Sequence, residues 1–283
     1  MNSSISEYTL ERISHTLLDR PSSYRLSIGD LGVFYMPFLD KWDMPIDGKY
    51  GGDSFLFRQI GREEYFFMIK NGVSHGGTGR NAIQRDDEIL RSVIKDNSLE
   101  FPASNMDLSL IAHLWNEAII KLEPEVSPFL LSSTLIMGIV SDSHIQYVNC
   151  GDSSIVIIDE TGTIINKDGV FKGHAFGLGM ISYQRFPYPQ DNIPEQGYDL
   201  HPGSRVVFFT DGLNEGVMRK PPEFAAEKSD FFGLERVVRL LAQTKGLSPT
   251  DIILKINKEV ATFLEGKEGL GIYDDYTLLA LQI

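Results

Sequence analysis

Short apolar runs that end on turn residues recur along most of this chain, interrupted by helical stretches that come in pairs. From Tyr24 to Phe38 and again from Ser54 to Ile69, β-branched and aromatic residues cluster between Gly, Asp and charged positions, as consecutive strands do. Leu131–Val140, Ile145–Asn149 and Ser154–Asp159 repeat the pattern, and the last enters a turn at Glu160-Thr161-Gly162. Arg205–Thr210 and the closing TLLALQI are two more such runs. No regular strand-helix-strand alternation is present. Hairpin-linked strands with interleaved helices therefore predict an α+β chain, with mainly antiparallel sheets packed together and flanked by helices, over a doubly wound parallel fold.

The helical stretches are marked by period. Within Asn81–Lys95, Ile83, Ile89, Leu90, Val93 and Ile94 recur at mostly helical spacing, and within Met106–Leu122 one stripe joins Leu108, Ile111, Trp115, Ile119 and Leu122 before Pro124. Leu234–Ala242 is a third. The fourth is announced by chemistry: Ser248 at the N-cap, Pro249 at the first helical position and Asp251 at the capping-box distance, with Gly266 at the far end. Lys167–Tyr198, rich in Gly, Pro and aromatics without a period, reads as an irregular insertion or a flap over a site. With 283 residues, 42% of them hydrophobic, one large domain spanning 1–283 is the expectation.

Charge narrows the partners. Asp and Glu number 39 against 26 Lys and Arg, and a formal charge of -13 argues against nucleic acid or an anionic membrane surface. The single cysteine, Cys150, excludes an intrachain disulfide and any paired-thiol zinc site, which fits a reducing, cytoplasmic setting. The first twenty residues lack the basic start and apolar run of a secretory signal, and no stretch approaches the ~20 apolar residues that span a bilayer.

Four places share one design, an apolar strand meeting a turn that carries Asp or Asn: Gly51-Gly52-Asp53, Asn71-Gly72, Asp211-Gly212 and Asp274-Asp275. Singly, each is what a turn uses to reach left-handed backbone, and Asn-Gly is also the leading hairpin signal. Together, strand-end oxygens from distant parts of a chain are how a sheet scaffold gathers hard ligands for Mg²⁺ or Mn²⁺. Two such ions ~3.5–4 Å apart can acidify a water and hold phosphoryl oxygens during in-line displacement.

Five segments, GGDSFLF, FFMIKNGVSHGGTGRNAI, VNCGDSSIVIID, VVFFTDGLNEG and YDDYTLLAL, occur in an order that resembles the type 2C metal-dependent protein phosphatases. The likeness is to the bacterial sporulation and stress-response branch, SpoIIE/RsbU/RsbX-like, and runs from about Gly51 to the C-terminus. It implies a four-layer αββα sandwich holding two Mn²⁺ or Mg²⁺ ions. Asp53, Asp211 and Asp274 would be carboxylate ligands, with the Gly72 carbonyl completing one coordination sphere directly or through water; Asp275 would be a neighbour in the turn more readily than a ligand, though the sequence allows either acid, and its plain alternative is a solvated charge. The substrate class implied is a phosphoserine or phosphothreonine protein, such as a phosphorylated anti-sigma antagonist.

The departure from the family is Asn71, which stands where the resemblance calls for the Asp that bridges both metals. An amide offers one neutral oxygen, so it supplies neither the charge that offsets two dications nor a second equivalent oxygen. Two origins stay open, a natural variant that is weak or has turned to binding, and a deliberate replacement that traps an inactive state. His75, in the glycine-rich turn, has the pKa to orient a phosphate or donate a proton. Gly76, Gly77 and Gly79 either expose amides to an anion or only bend the chain into the helix.

Two other functions compete. Gly72-Val73-Ser74-His75-Gly76 fits G-x-S-x-G between an apolar run and a helix, the nucleophile-elbow setting, with Ser74 attacking a carbonyl and Asp152 with His174 or His201 completing a triad. The other is a non-catalytic, phosphoprotein-binding or regulatory module that keeps the phosphatase fold.

Overall fold

The computed structural model describes residues 7–9, 22–36, 52–72, 77–122, 133–168, 193, 195–218, 231–265, 271–272 and 275–283. They fall into two compact units, one within 1–13, 52–153 and 169–199, the other within 14–51, 154–168 and 200–283. Each unit is a six-stranded sheet in which every pairing is antiparallel, with a pair of helices of its own. The α+β class and the antiparallel sheets expected from the hairpin pattern are what the protein has.

In the first unit the sheet runs β1 (Glu7–Thr9), β4 (Asp53–Gln59), β5 (Glu64–Gly72), β6 (Ser133–Ser141), β7 (His144–Cys150) and β10 (Gln196–Asp199). Helices α1 (Gly77–Asp96) and α2 (Leu108–Leu122) pack together, α1 touching β5 and α2 touching β7. Strand alternation sends Phe66 and Met68 of β5 into a cluster with Leu90, Leu108, Ile111, Trp115, Ile119, Leu135 and Met137. At ~1.5–3 kcal/mol for each large apolar side chain removed from water, this cluster is what holds the helices to the sheet.

The second sheet runs β2 (Ser22–Arg25), β3 (Asp30–Met36), β14 (Tyr276–Gln282), β11 (Arg205–Phe209), β8 (Ser154–Ile158) and β9 (Ile164–Asp168). Helices α3 (Leu234–Leu241) and α4 (Pro249–Leu264) belong to it, and α4 lays Ile252, Ile253, Ile256, Val260 and Phe263 into the core. The start of α4 is built as its sequence foretells. Ser248 Oγ accepts from the Asp251 N–H at 3.2 Å and donates to Asp251 Oδ2 at 2.6 Å.

Two expectations are corrected. The first helix begins at Gly77, four residues before Asn81, because Gly77-Thr78-Gly79-Arg80 carries no apolar residue from which a period could be read. The stretch read as irregular, 167–198, overlaps the end of β9 and contains most of β10; residues 169–192 and 194 lie outside the described residues. Gly197 and Asp199 hide β10 from propensity. Pairing to the edge of β7 makes it a strand, with Gln196 opposite Tyr147 and the Tyr147 and Tyr198 rings stacked at 6.3 Å. The short pair β12 (Val217–Met218) and β13 (Gly271–Ile272) has too few residues for any period to show. Pro124 and Gly266 lie outside the described residues. No described helix is long and apolar enough to cross a membrane.

Candidate functional site

At one end of the first sheet, Asp53 opens β4, Asn71 and Gly72 close β5, and Thr134 stands near the start of β6. Asp53 is the cross-strand partner of Asn71, and Asn71 of Thr134, so the three side chains form a row on one face. All are buried; Asp53 is 3% and Asn71 6% exposed. Backbone groups fix the row: the Gly72 N–H donates to the Gly52 carbonyl at 2.9 Å, and the Asn71 N–H to Thr134 Oγ1 at 3.2 Å. Thr134 Oγ1 shares a 2.7 Å hydrogen bond with Ser153 Oγ, whose carbonyl accepts from Asn149 Nδ2 at 3.1 Å. Gly151 lets this turn come so near. Its φ is +117°, and a Cβ there would lie 2.8 Å from Thr134 Cβ.

On the opposite face of β5, Lys70 continues the row of Phe66 and Met68, yet it carries a charge with 1% of its side chain exposed. Lys70 Nζ lies 3.4 Å from Asp86 Oδ2 and donates to Asp87 Oδ1, both from α1, and sits 5.4 Å from the centre of the Trp115 ring. Ser133, paired with Gly72 across β5 and β6, donates to Asp86 Oδ2 at 2.7 Å, and Trp115 Nε1 donates to the Asp86 carbonyl at 3.2 Å. Burial pushes the Asp86 carboxyl up to about 6, a rise that Lys70 and Ser133 oppose without cancelling. Sequence reading missed this cluster. Its one signal was a lysine in an otherwise apolar strand, EYFFMIK, at a position whose parity faces the core.

In the second unit, β11 ends at Phe209, and Thr210 holds the next turn: its N–H donates to the Thr277 carbonyl at 3.2 Å and its Oγ1 accepts from the Thr277 N–H at 2.9 Å. Asp211 then caps a single π-helical turn, Gly212–Gly216, with helical φ and ψ of -59° and -24°. Gly212 is pressed on Asp275, so closely that a Cβ would fall 1.7 Å from the Asp275 carbonyl oxygen. Asp275 itself is 2% exposed, which rules out the alternative of a solvated charge.

The structure thus brings Asp53, Asn71 and Gly72 together, and sets Asp211 and Gly212 beside Asp275. Asp274, Ser74, His75, Gly76 and His174 lie outside the described residues; Gly77 and Gly79 are in the first turn of α1. Among the described residues no group of three or more His, Cys, Asp or Glu could hold a metal ion. The donors in the first unit, a buried carboxylate, an amide and a strand-end carbonyl, are all oxygens, a chemistry that fits Mg²⁺ or Mn²⁺ and not a soft metal. The elbow reading loses its setting, since both neighbours of β5 run antiparallel to it.

Residues 89–283 match the family described as Stage II sporulation protein E (SpoIIE), well over half of the chain. The chain belongs to the SpoIIE family. Asp211, Asp274 and Asp275 lie within the matched residues, whereas Asp53, Asn71 and Gly72 precede them. This SpoIIE-family chain shares its fold with the SiaA-PP2C domain of Pseudomonas aeruginosa, at TM-score 0.60 and 16% identity over 96% of this chain and 89% of that one. It is also similar to RsbX in complex with magnesium, at TM-score 0.54 and 14% identity over 93% of this chain and 98% of that one. Among curated proteins, a rat protein described as serine protease HTR4 is 26% identical over 220 residues, 69% of this chain. The chain spans 43% of that relative's length.

Proposed function

We propose that this SpoIIE-family chain is built to hydrolyse phosphoserine or phosphothreonine on a protein, with Mn²⁺ or Mg²⁺ as cofactor, and that Asn71 weakens that activity. One observation carries the reading: a buried Asp53 faces Asn71 at the end of paired strands whose backbone is pinned from both sides. In this reading Asp53, Asn71, the Gly72 carbonyl, Asp211 and Asp274 would be the ligands that the family resemblance implies. When bound, two divalent ions supply an acidified water and offset the charge on the phosphoryl oxygens. The chain's own part is to fix the oxygen donors in advance, so that little reorganisation remains when the phosphate arrives. His75, in the glycine-rich stretch of the sequence, would orient the phosphate or pass a proton. A phosphorylated anti-sigma antagonist in a cytoplasmic, bacterial stress-response pathway is the partner that the family resemblance favours.

The test is p-nitrophenyl phosphate turnover with Mn²⁺, with and without chelator, for this chain and for Asn71→Asp. Chelator-sensitive turnover that is weak with Asn71 and strong with Asp supports the reading; no turnover by either form overturns it. Asn71 also supports a second reading, a regulatory module that keeps the fold to bind phosphoprotein. That reading gains if Asn71→Asp stays inactive while the parent chain binds a phosphoserine peptide.

A further inference from the structure

Lys70 has no evident role in the chemistry just proposed, and burying it is costly. Taking an ammonium and a carboxylate out of water costs several kcal/mol per ion, and apolar residues of similar volume commonly serve as well or better. Here the surroundings would accept one: Phe66 and Met68 precede Lys70 on the same face, in a cluster with Trp115 and Leu135. What the charged version adds is direction. An apolar side chain can slide against its neighbours, whereas the ammonium must meet Asp86 and Asp87 of α1 together.

The contacts converge on the end of β5. Lys70 immediately precedes Asn71, and Ser133, whose hydroxyl bonds the same Asp86 oxygen, is paired with Gly72. Two of the three last residues of β5 are thereby tied, directly or across one strand, to one carboxylate of a helix.

We propose that Lys70, through Asp86, Asp87 and Ser133, is a positioning residue that fixes the Asn71-Gly72 end of β5 against α1 and so holds the proposed ligand oxygens in place. The last clause of this proposal rests on the metal-site reading above; the clamp itself does not. The pair is dispensable for folding and required for the placement of the strand end.

The experiment uses the full chain and the double variant Lys70→Met/Asp86→Leu, which removes both charges and leaves neither buried alone. Thermal melting checks that the variant is folded, and Lys70→Met/Asp86→Asn serves if it is not. Hydrogen exchange followed by mass spectrometry over residues 66–72 then reads the clamp without any metal. The expected result is exchange at least tenfold faster in this segment, with β7 unchanged and the melting temperature held within a few degrees. Unchanged exchange over 66–72 overturns the proposal. A second arm titrates Mn²⁺ by the loss of its free electron-paramagnetic-resonance signal, in Asn71→Asp with and without the charge-removing pair. Binding weakened at least tenfold by the pair supports the link to the ligands, and equal binding refutes that link. If Asn71→Asp binds no Mn²⁺ while exchange still rises in the variant, the metal-site reading falls and the clamp stands.

Discussion

Asn71→Asp is the substitution whose cost and recovery can be worked out from the strand pairing. Position 71 is the direct partner of Asp53, and side chains in that relation have Cβ atoms ~4.5–5.5 Å apart on one face. Both positions are buried, so two carboxylates ~5 Å apart at an effective dielectric of about 20 repel by roughly 3 kcal/mol. Protonating one of them relieves this, but at pH 7 that costs about 4 kcal/mol for an acid of ordinary pKa, so repulsion is the cheaper state. Without metal the variant should therefore lose about 3 kcal/mol of stability at pH 7. Lowering the pH to 5 reduces the protonation cost to roughly 1.5 kcal/mol and should recover about half of the loss.

A divalent cation reverses the sign. Added at a hundred times its dissociation constant, Mn²⁺ returns about 2.7 kcal/mol through binding to the folded state alone, close to the whole deficit. Urea denaturation of parent and variant, each in chelator and in Mn²⁺, gives the four values needed. The parent should respond weakly to Mn²⁺ and the variant strongly. An Asn71→Asp protein as stable as the parent in chelator would show that positions 53 and 71 do not share a face, and the ligand pair would fall with it.

Other outcomes are equally specific. Ser248→Ala removes the side-chain oxygen that caps α4 and should cost about 1 kcal/mol by denaturation, with Ser248→Gly costing less. Gly212→Ala drives a methyl group into the Asp275 carbonyl, and because backbone cannot step aside as a side-chain tip can, a loss of roughly 2–3 kcal/mol is expected; a neutral result would refute the closeness of these turns. Asp86 holds its proton more tightly folded, at about 6, than at its ordinary 3.8, so unfolding releases a proton between those values and its share of stability falls as pH rises through that window. Asp86→Asn should remove this slope, and an unchanged difference between parent and variant from pH 4 to 6 would contradict it.

The sequence reveals some parts of this protein more readily than others, and the division has a physical cause. Strands such as Arg205–Phe209 and helices such as Pro249–Leu264 carry their own signal, in apolar runs, caps and period, because their burial or termination is local. β10 has no such signal, since only the waiting edge of β7 makes Gln196–Asp199 a strand. The site divides in the same way. Asp53, Asn71 and Asp211 stand out because each lies where an apolar run meets a turn, and the pairing of the first two follows from hairpin geometry. Lys70, Asp86 and Ser133 belong to three elements and share no spacing; their meeting is settled by packing, which one-dimensional pattern does not contain.

That division bears on what Asn71 means. The bonds that hold position 71 run through backbone and through neighbours: its N–H to Thr134 Oγ1, Gly72 to the Gly52 carbonyl, and Thr134 onward to Ser153. Asparagine and aspartate have nearly the same shape, so exchanging them alters the charge of this row more than its outline. Asn71→Asp should therefore strengthen metal binding while the pairing of β5 with β4 and β6 stays in place, which the same denaturation series in Mn²⁺ reads.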